Sequence, residues 1–259
     1  MDQSLIDLFS LDGRVAIVTG STKGLGYDMA LGLAQAGANV VVSSRNQDAC
    51  EAVAAEITER TGNEAFAAAL HMGDWDAAEP FVDRVMEKFG RIDVLVNNAG
   101  IHPGPMPVIG IQQAYFDKLY EVNLRGPVRL AGLVAPHMAE LGKGSIVNIS
   151  TVGAFQSGAG VGVYTSLKAA LITFTRSMAR EFADLGIRVN AICPGPFDSE
   201  MMRGADRMDD GFASRSAAAT ILKRVADCRE IVGATLYLAS DASSYTTGED
   251  HIVSGGMLR

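Results

Sequence analysis

The sequence predicts an α/β fold: one doubly wound parallel sheet of about seven strands with helices on both faces. Three observations point to it. Short β-branched or apolar runs at 15–18, 40–42, 65–70, 94–96, 146–149, 187–192 and 252–253 are nearly continuous, as strands covered on both faces must be. The stretches between them, such as 27–36, 48–61, 77–89 and 166–183, have the length and periodicity of right-handed crossover helices. A glycine-rich segment, 19–26, follows the first run directly and opens a helix.

The 259 residues contain no internal repeat and no linker rich in Pro and Ser, so a single domain, 1–259, is expected. With 48% hydrophobic and 20% charged residues the chain can fill a sizeable core and still solvate its surface. From Pro194 to Thr220 no strand is apparent before a helical pattern resumes, and a substrate lid is expected at about 196–220. Lys and Arg total 22 against 30 Asp and Glu, a net charge of -8, the wrong sign for covering a phosphate backbone, so nucleic acid is not an expected partner. Cys50, Cys193 and Cys228 form no C-x-x-C pair, which argues against a disulfide framework or a zinc knot and fits a reducing compartment. The first residues carry Asp2 and Asp7 rather than a basic stretch, and no apolar run reaches the roughly 18 residues of a membrane span; the expected place is the cytoplasm, with no membrane partner. His71, His102, His137 and His251 are scattered without ligand spacing, so surface or packing roles are expected and no metal.

The stretch Thr19-Gly20-Ser21-Thr22-Lys23-Gly24-Leu25-Gly26 has the chemistry of a phosphate-binding turn. Gly20, Gly24 and Gly26 permit a tight turn and let backbone approach a pyrophosphate, while the following helix offers its free N–H groups to the anion. The second strand ends in Ser44, Arg45 and Asn46, where an NAD-binding fold places a carboxylate against the adenosine ribose. A guanidinium pairs with a 2′-phosphate, and Lys23 can add a second positive charge, so NADP(H) is expected in preference to NAD(H).

Tyr164 and Lys168, four residues apart in a helical stretch, share one helix face. A free phenol, with a pKa of about 10, is a poor base at neutral pH, and a neighbouring ammonium is expected to bring it down. Thirteen residues before Tyr164 stands Thr151, whose hydroxyl can hold a substrate oxygen; Ser150, its neighbour in an extended segment, should point to the other face.

This Thr, Tyr and Lys set, with the T-G-x-x-x-G-x-G turn, Asn97-Asn98-Ala99-Gly100 after the fourth run and Asn123 beyond it, resembles the short-chain dehydrogenase/reductase superfamily over nearly the whole chain. The resemblance implies a Rossmann-like sheet, with Tyr164 as general acid/base, Lys168 also holding the nicotinamide ribose, Thr151 in the place of a substrate-orienting serine, and Asn123 holding a water in a proton relay. It implies cofactor contacts from Gly20, Ser21, Lys23, Gly24, Leu25 and Gly26 in the turn, and from Ser44, Arg45 and Asn46 after the second strand. Further contacts fall to Met72 and Gly73, to Asn98, Ala99 and Gly100, to Tyr164 and Lys168, and to Pro194, Gly195, Phe197 and Ser199. It also implies a homotetramer. The chain departs from the pattern at Thr151, at His71-Met72-Gly73-Asp74, where an Asp often stands near the adenine, and at Ser254 before Gly255-Gly256.

The expected reaction is hydride transfer between a nicotinamide and a small carbonyl or secondary alcohol substrate. A pocket using Met106, Phe155, Met201, Met202, Met208 and Phe212 suits an apolar ketone, whereas Arg203 and Arg207 keep open an NAD(H)-dependent sugar-acid or polyol dehydrogenase. A catalytically silent nicotinamide-nucleotide sensor is the alternative from another class, and the complete Thr151, Asn123, Tyr164 and Lys168 set argues against it.

Overall fold

The computed structural model describes residues 3–258. Its strands are β1 (Val15–Thr19), β2 (Asn39–Ser43), β3 (Ala65–Ala67), β4 (Val94–Asn97), β5 (Gly144–Ile149), β6 (Ile187–Pro194) and β7 (Asp250–Val253). They form one parallel sheet in the order β3-β2-β1-β4-β5-β6-β7. The helices are α1 (Gln3–Asp7), α2 (Gly24–Gln35), α3 (Gln47–Thr61), α4 (Ala78–Phe89), α5 (Gln113–Tyr120), α6 (Gly126–Glu140), α7 (Gly162–Glu181), α8 (Glu200–Met208), α9 (Phe212–Ala219) and α10 (Val232–Ala239).

Strand periodicity sorts the core into two layers. In β1, Ala16 and Val18 face Met29 and Leu33 of α2, Ile57 of α3 and Leu238 of α10. Val15 and Ile17 face the other way, towards Phe81 and Val85 of α4, Leu130 and Val134 of α6 and Met178 of α7. Both faces of β1 and β4 are fully buried, which explains why these runs contain no solvent-facing polar residue. Truncating one of these buried leucines to alanine costs about 2–5 kcal/mol.

Local chemistry places the helix ends. Asn46 caps α3 by accepting the Ala49 N–H at 2.8 Å, and Gly62 ends it in the left-handed conformation. Strand β3 ends at Ala67, but the apolar run to 70 stays bonded to the β2 side through the Ala68 and Leu70 N–H groups, while Gln47 donates to the Ala67 carbonyl and accepts the Ala69 N–H. The segment expected to be a loop after Pro194 is instead largely helical, with α8 capped by Ser199 and separated from α9 by Gly211 at φ 75°. Helix α8 has no buried residue, so the core does not position it. No helix among the described residues is long and apolar enough to cross a membrane.

The chain leaves β1 outward through β2 and β3, then crosses to β4 on the other side. The carboxyl ends of β1 and β4 therefore border a topological switch point, where open α/β sheets bind ligands.

Candidate active site

The glycine-rich turn lies at that switch point. Gly20 and Gly24 have φ of 66° and 57°, conformations that side chains resist. A Cβ on Gly20 would lie 2.9 Å from the Ala99 Cα, and one on Gly26 would overlap the Gly20 carbonyl. Asn98 locks the turn to β4, its Nδ2 donating to the Thr19 and Gly20 carbonyls at 2.8 and 3.1 Å. Thr19 Oγ1 accepts the Asn98 and Ala99 N–H groups, both at 3.0 Å. Ser21 is buried and clamps the turn to β2, accepting the Ser43 N–H at 2.9 Å, and Leu25 packs on the core. No side chain caps the start of α2, so its first turn remains a donor site that fits a pyrophosphate.

The neighbouring positions divide. Arg45 is exposed and makes no ion pair among the described residues, so its guanidinium is available to a 2′-phosphate. Ser44 Oγ sits beside it, 3.4 Å from the Asn46 backbone, and Asn46 spends its side chain on the α3 cap. Lys23 is ion-paired with Glu200 of α8. Met72 is buried, and the Gly73 carbonyl accepts from Arg125 at 2.6 Å. Asp74 is exposed and accepts the N–H groups of Asp76 and Ala77.

Lys168 and Asn123 converge on Gly100. A Cβ placed there would meet Asn123 Oδ1 at 3.0 Å and Lys168 Nζ at 3.5 Å. Asn123 lies in a π-helical turn, Glu121–Arg125, a distortion often found at functional sites, and it brackets Ile101 by accepting its N–H and donating to its carbonyl, both at 3.0 Å. The Lys168 ammonium is buried and donates to the Ile149 carbonyl at 2.7 Å. One turn earlier, Tyr164 carries a hydroxyl bonded to no other group among the described residues. Thr151 follows β5, its Oγ1 accepting the Gly153 N–H at 3.2 Å, while the buried Ser150 hydroxyl donates to the Lys168 carbonyl. The two neighbours thus do different work, as strand alternation predicts.

Burial sets the electrostatics, and it runs against the expectation for the phenol. It pushes Tyr164 up to about 12 and Lys168 down to about 8; the Lys168 ammonium is turned to the Ile149 carbonyl. Cys193 on β6, next to this group, is pushed up to about 12 by the same desolvation, leaving a neutral thiol.

Gly195 follows β6 and donates to the Val253 carbonyl at 2.9 Å; a Cβ there would lie 2.8 Å from Ser254. Phe197, expected as a cofactor contact, turns its ring away from the surface and leaves only its backbone to face a ligand. Its ring is 3% exposed and belongs to the core, because the segment pairs with Ala226 in a short parallel bridge and turns the side chain inward. Ser199 caps α8, accepting the Met202 N–H at 3.3 Å, and stands over Gly24. Arg203 is held by Asp198 at 2.8 Å, whereas Arg207 makes no ion pair among the described residues. An open cleft of about 720 Å³ runs between Phe155 and Gln156 on one side and Ile252 to Gly256 with Leu258 on the other; neither Tyr164 nor Lys168 lines it.

Two features escaped sequence reasoning. The buried ladder from Asn97 Nδ2 to Asn148 Oδ1 and from Asn148 Nδ2 to Thr175 Oγ1, each at 2.9 Å, ties β4 and β5 to α7; an Asn ending one apolar strand and another inside the next was the available signal. His102, read as a packing residue, lies edge-on to Tyr164 with ring centroids 4.9 Å apart.

Residues 20–258 match the family model described as enoyl-(acyl carrier protein) reductase. The chain is 35% identical over 251 residues to dehydrogenase/reductase SDR family member 4 of Caenorhabditis elegans, covering 95% of each. Its fold matches a gluconate 5-dehydrogenase from Burkholderia cenocepacia, solved with NADP and tartrate, at a TM-score of 0.93 and 33% identity over 98% of each chain. It also matches the NADPH-dependent 3-quinuclidinone reductase of Rhodotorula rubra at a TM-score of 0.91 and 31% identity, over 99% of this chain and 96% of that one.

Proposed function

The chain belongs to the short-chain dehydrogenase/reductase superfamily, and on that premise we propose that it is an NADP(H)-dependent oxidoreductase interconverting a ketone and a secondary alcohol. The observation that carries this reading is the convergence on Gly100, where Lys168 and Asn123 meet one helical turn from the free hydroxyl of Tyr164. Arg45 supports the choice of NADP(H), since a guanidinium without a protein partner stands where the ribose 2′-position is expected. Two relatives of the same fold support it as well: the Burkholderia enzyme was solved with NADP, and the Rhodotorula reductase is NADPH-dependent.

A bound nicotinamide supplies the hydride, which no side chain of the protein can. Tyr164, protonated at neutral pH, donates its proton to the carbonyl oxygen as that oxygen gains negative charge. Thr151 donates a hydrogen bond to the same oxygen and fixes the face on which it sits. Lys168 keeps a positive charge in a buried site, where it stabilises the phenolate left after proton transfer. Asn123 holds Ile101 and thereby the backbone beside Gly100, keeping room for the reacting carbon.

The test is the rate of NADPH and NADH oxidation across ketones, aldehydes and keto sugar acids, with Tyr164→Phe as the control. Loss of about 10²–10⁴-fold in kcat with NADPH affinity retained is the expected result for that variant. Full activity in Tyr164→Phe would overturn the proton-transfer assignment.

A further inference from the structure

Two residues past Gly100, in the loop that follows β4, stands His102. Its imidazole meets the Tyr164 ring at 70°, with centroids 4.9 Å apart. Its Nε2 is buried and bonded to no group among the described residues. A buried polar atom without a partner is a cost that a ligand can relieve, and this one lies against the residue that holds the proton. The loop around it is pinned rather than loose: Tyr115 donates to the Gly104 carbonyl at 2.9 Å, and the Met106 N–H donates to the Gly160 carbonyl at 2.7 Å. On the lid side, a Cβ on Gly104 would lie 3.1 Å from Met208 Sδ at the end of α8.

The chemistry of the ring narrows what it can take. Burial holds His102 below the ordinary imidazole range, so it is neutral at pH 7 and offers one donor and one acceptor. A neutral imidazole suits a hydroxyl, which can both give and receive a hydrogen bond. A carboxylate calls for a cation, which the neutral ring is not; of the three arginines at 203–215, Arg203 and Arg215 are held by Asp198 and Asp209, and only Arg207 makes no ion pair among the described residues.

We propose that His102 is a specificity-determining residue whose Nε2 hydrogen-bonds a hydroxyl on the carbon next to the reacting one, so that the substrate is an α-hydroxy ketone or the corresponding vicinal diol. The inference rests on the reading of Tyr164 as the proton donor of a carbonyl reductase, and it deepens that reading by naming the substrate class. A site built to bond a substrate hydroxyl discriminates strongly against the analogue that lacks it, because the buried partner is then left unpaired.

The experiment compares kcat/KM for 1-hydroxy-2-butanone and 2-butanone with NADPH, in the wild type, His102→Phe and His102→Gln. The wild type is expected to favour the hydroxy ketone by at least about tenfold. His102→Phe, which keeps a ring against Tyr164, brings the ratio to about one through a higher KM for the hydroxy ketone, and His102→Gln, which keeps an N–H donor, retains part of the preference. A wild-type ratio near one, or an equal loss on both ketones in His102→Phe, overturns the proposal while leaving the reductase reading standing. Turnover of neither ketone, nor of any other carbonyl in the panel, with NADPH bound as judged by its fluorescence, overturns the reductase reading and this proposal with it.

Discussion

The Lys23 ammonium is ion-paired with the Glu200 carboxylate, joining the glycine-rich turn to the first turn of helix α8. The pair is exposed, and its partners lie far apart along the chain. In the proposed nucleotide-bound state Lys23 would choose between Glu200 and a phosphate, and the Glu200 carboxylate would compete for its charge. We predict that Glu200→Gln lowers the Kd for NADPH a few-fold and changes that for NADH less. Equilibrium fluorescence titration checks it, and a weaker NADPH affinity in the variant would show that the pair closes the lid on the cofactor instead.

In the proposed NADP(H) reading Arg45 is the residue that meets the ribose phosphate, since it makes no ion pair among the described residues whereas Lys23 is paired with Glu200. Replacing it with Asp swaps an attractive charge for a repulsive one. Arg45→Asp is expected to raise the KM for NADPH by at least about tenfold, with no comparable rise for NADH. Steady-state kinetics with both cofactors decides the matter; equal KM values for NADPH in the two proteins would remove Arg45 from the binding site.

Lys168 has a folded-state value of about 8, lowered by burial from 10.5. Its charge is present below that pH and lost above it, whereas Tyr164 at about 12 stays protonated throughout. The kcat/KM for ketone reduction is thus expected to fall above about pH 8, and the residual activity of Lys168→Arg to hold to higher pH because a guanidinium stays charged. The sign for stability is the reverse of that for activity. Folding expels the Lys168 proton between about 8 and 10.5, so the contribution of this residue to stability increases across that window. Urea denaturation of the wild type and Lys168→Met at pH 7 and pH 9.5 measures it.

Gly26 has no room for a side chain, since a Cβ would overlap the Gly20 carbonyl and crowd Asn98. Gly26→Ala is expected to cost about 1–3 kcal/mol through displacement of the turn, and to weaken nucleotide binding more than the melting temperature suggests. A variant with wild-type NADPH affinity would mean that the turn does not touch the nucleotide.

Much of this arrangement was written in local pattern. Continuous apolar runs marked the strands because parallel strands are buried on both faces, and Gly20, Gly24 and Gly26 marked the turn because two of them adopt positive φ and the third has a carbonyl against it. Tyr164 and Lys168 were legible for the same reason: one helical turn suffices to relate them. What stayed hidden depends on distant partners. Nothing near Lys23 announces Glu200, and nothing near Phe197 announces that its ring turns into the core beside the Ala226 bridge. The direction of the Tyr164 shift was equally hidden, because spacing on a helix gives proximity to a charge but not the degree of burial that outweighs it. Helix α8 escaped because it is short and the Pro, Gly and Asp residues around it read as loop.

The lock between Thr19 and Asn98 spans 79 residues of chain, since β1 lies between β2 and β4 in the sheet. A ribosome adding about 5–20 residues per second takes roughly 4–16 s to make that stretch. Through that interval the nascent turn has β1 and α2 but neither the Asn98 amide that fixes its carbonyls nor the second wall of its crevice. Closure of the glycine-rich turn is therefore a late event in the synthesis of this protein, and a fragment ending before β4 lacks the Asn98 amide that holds the turn.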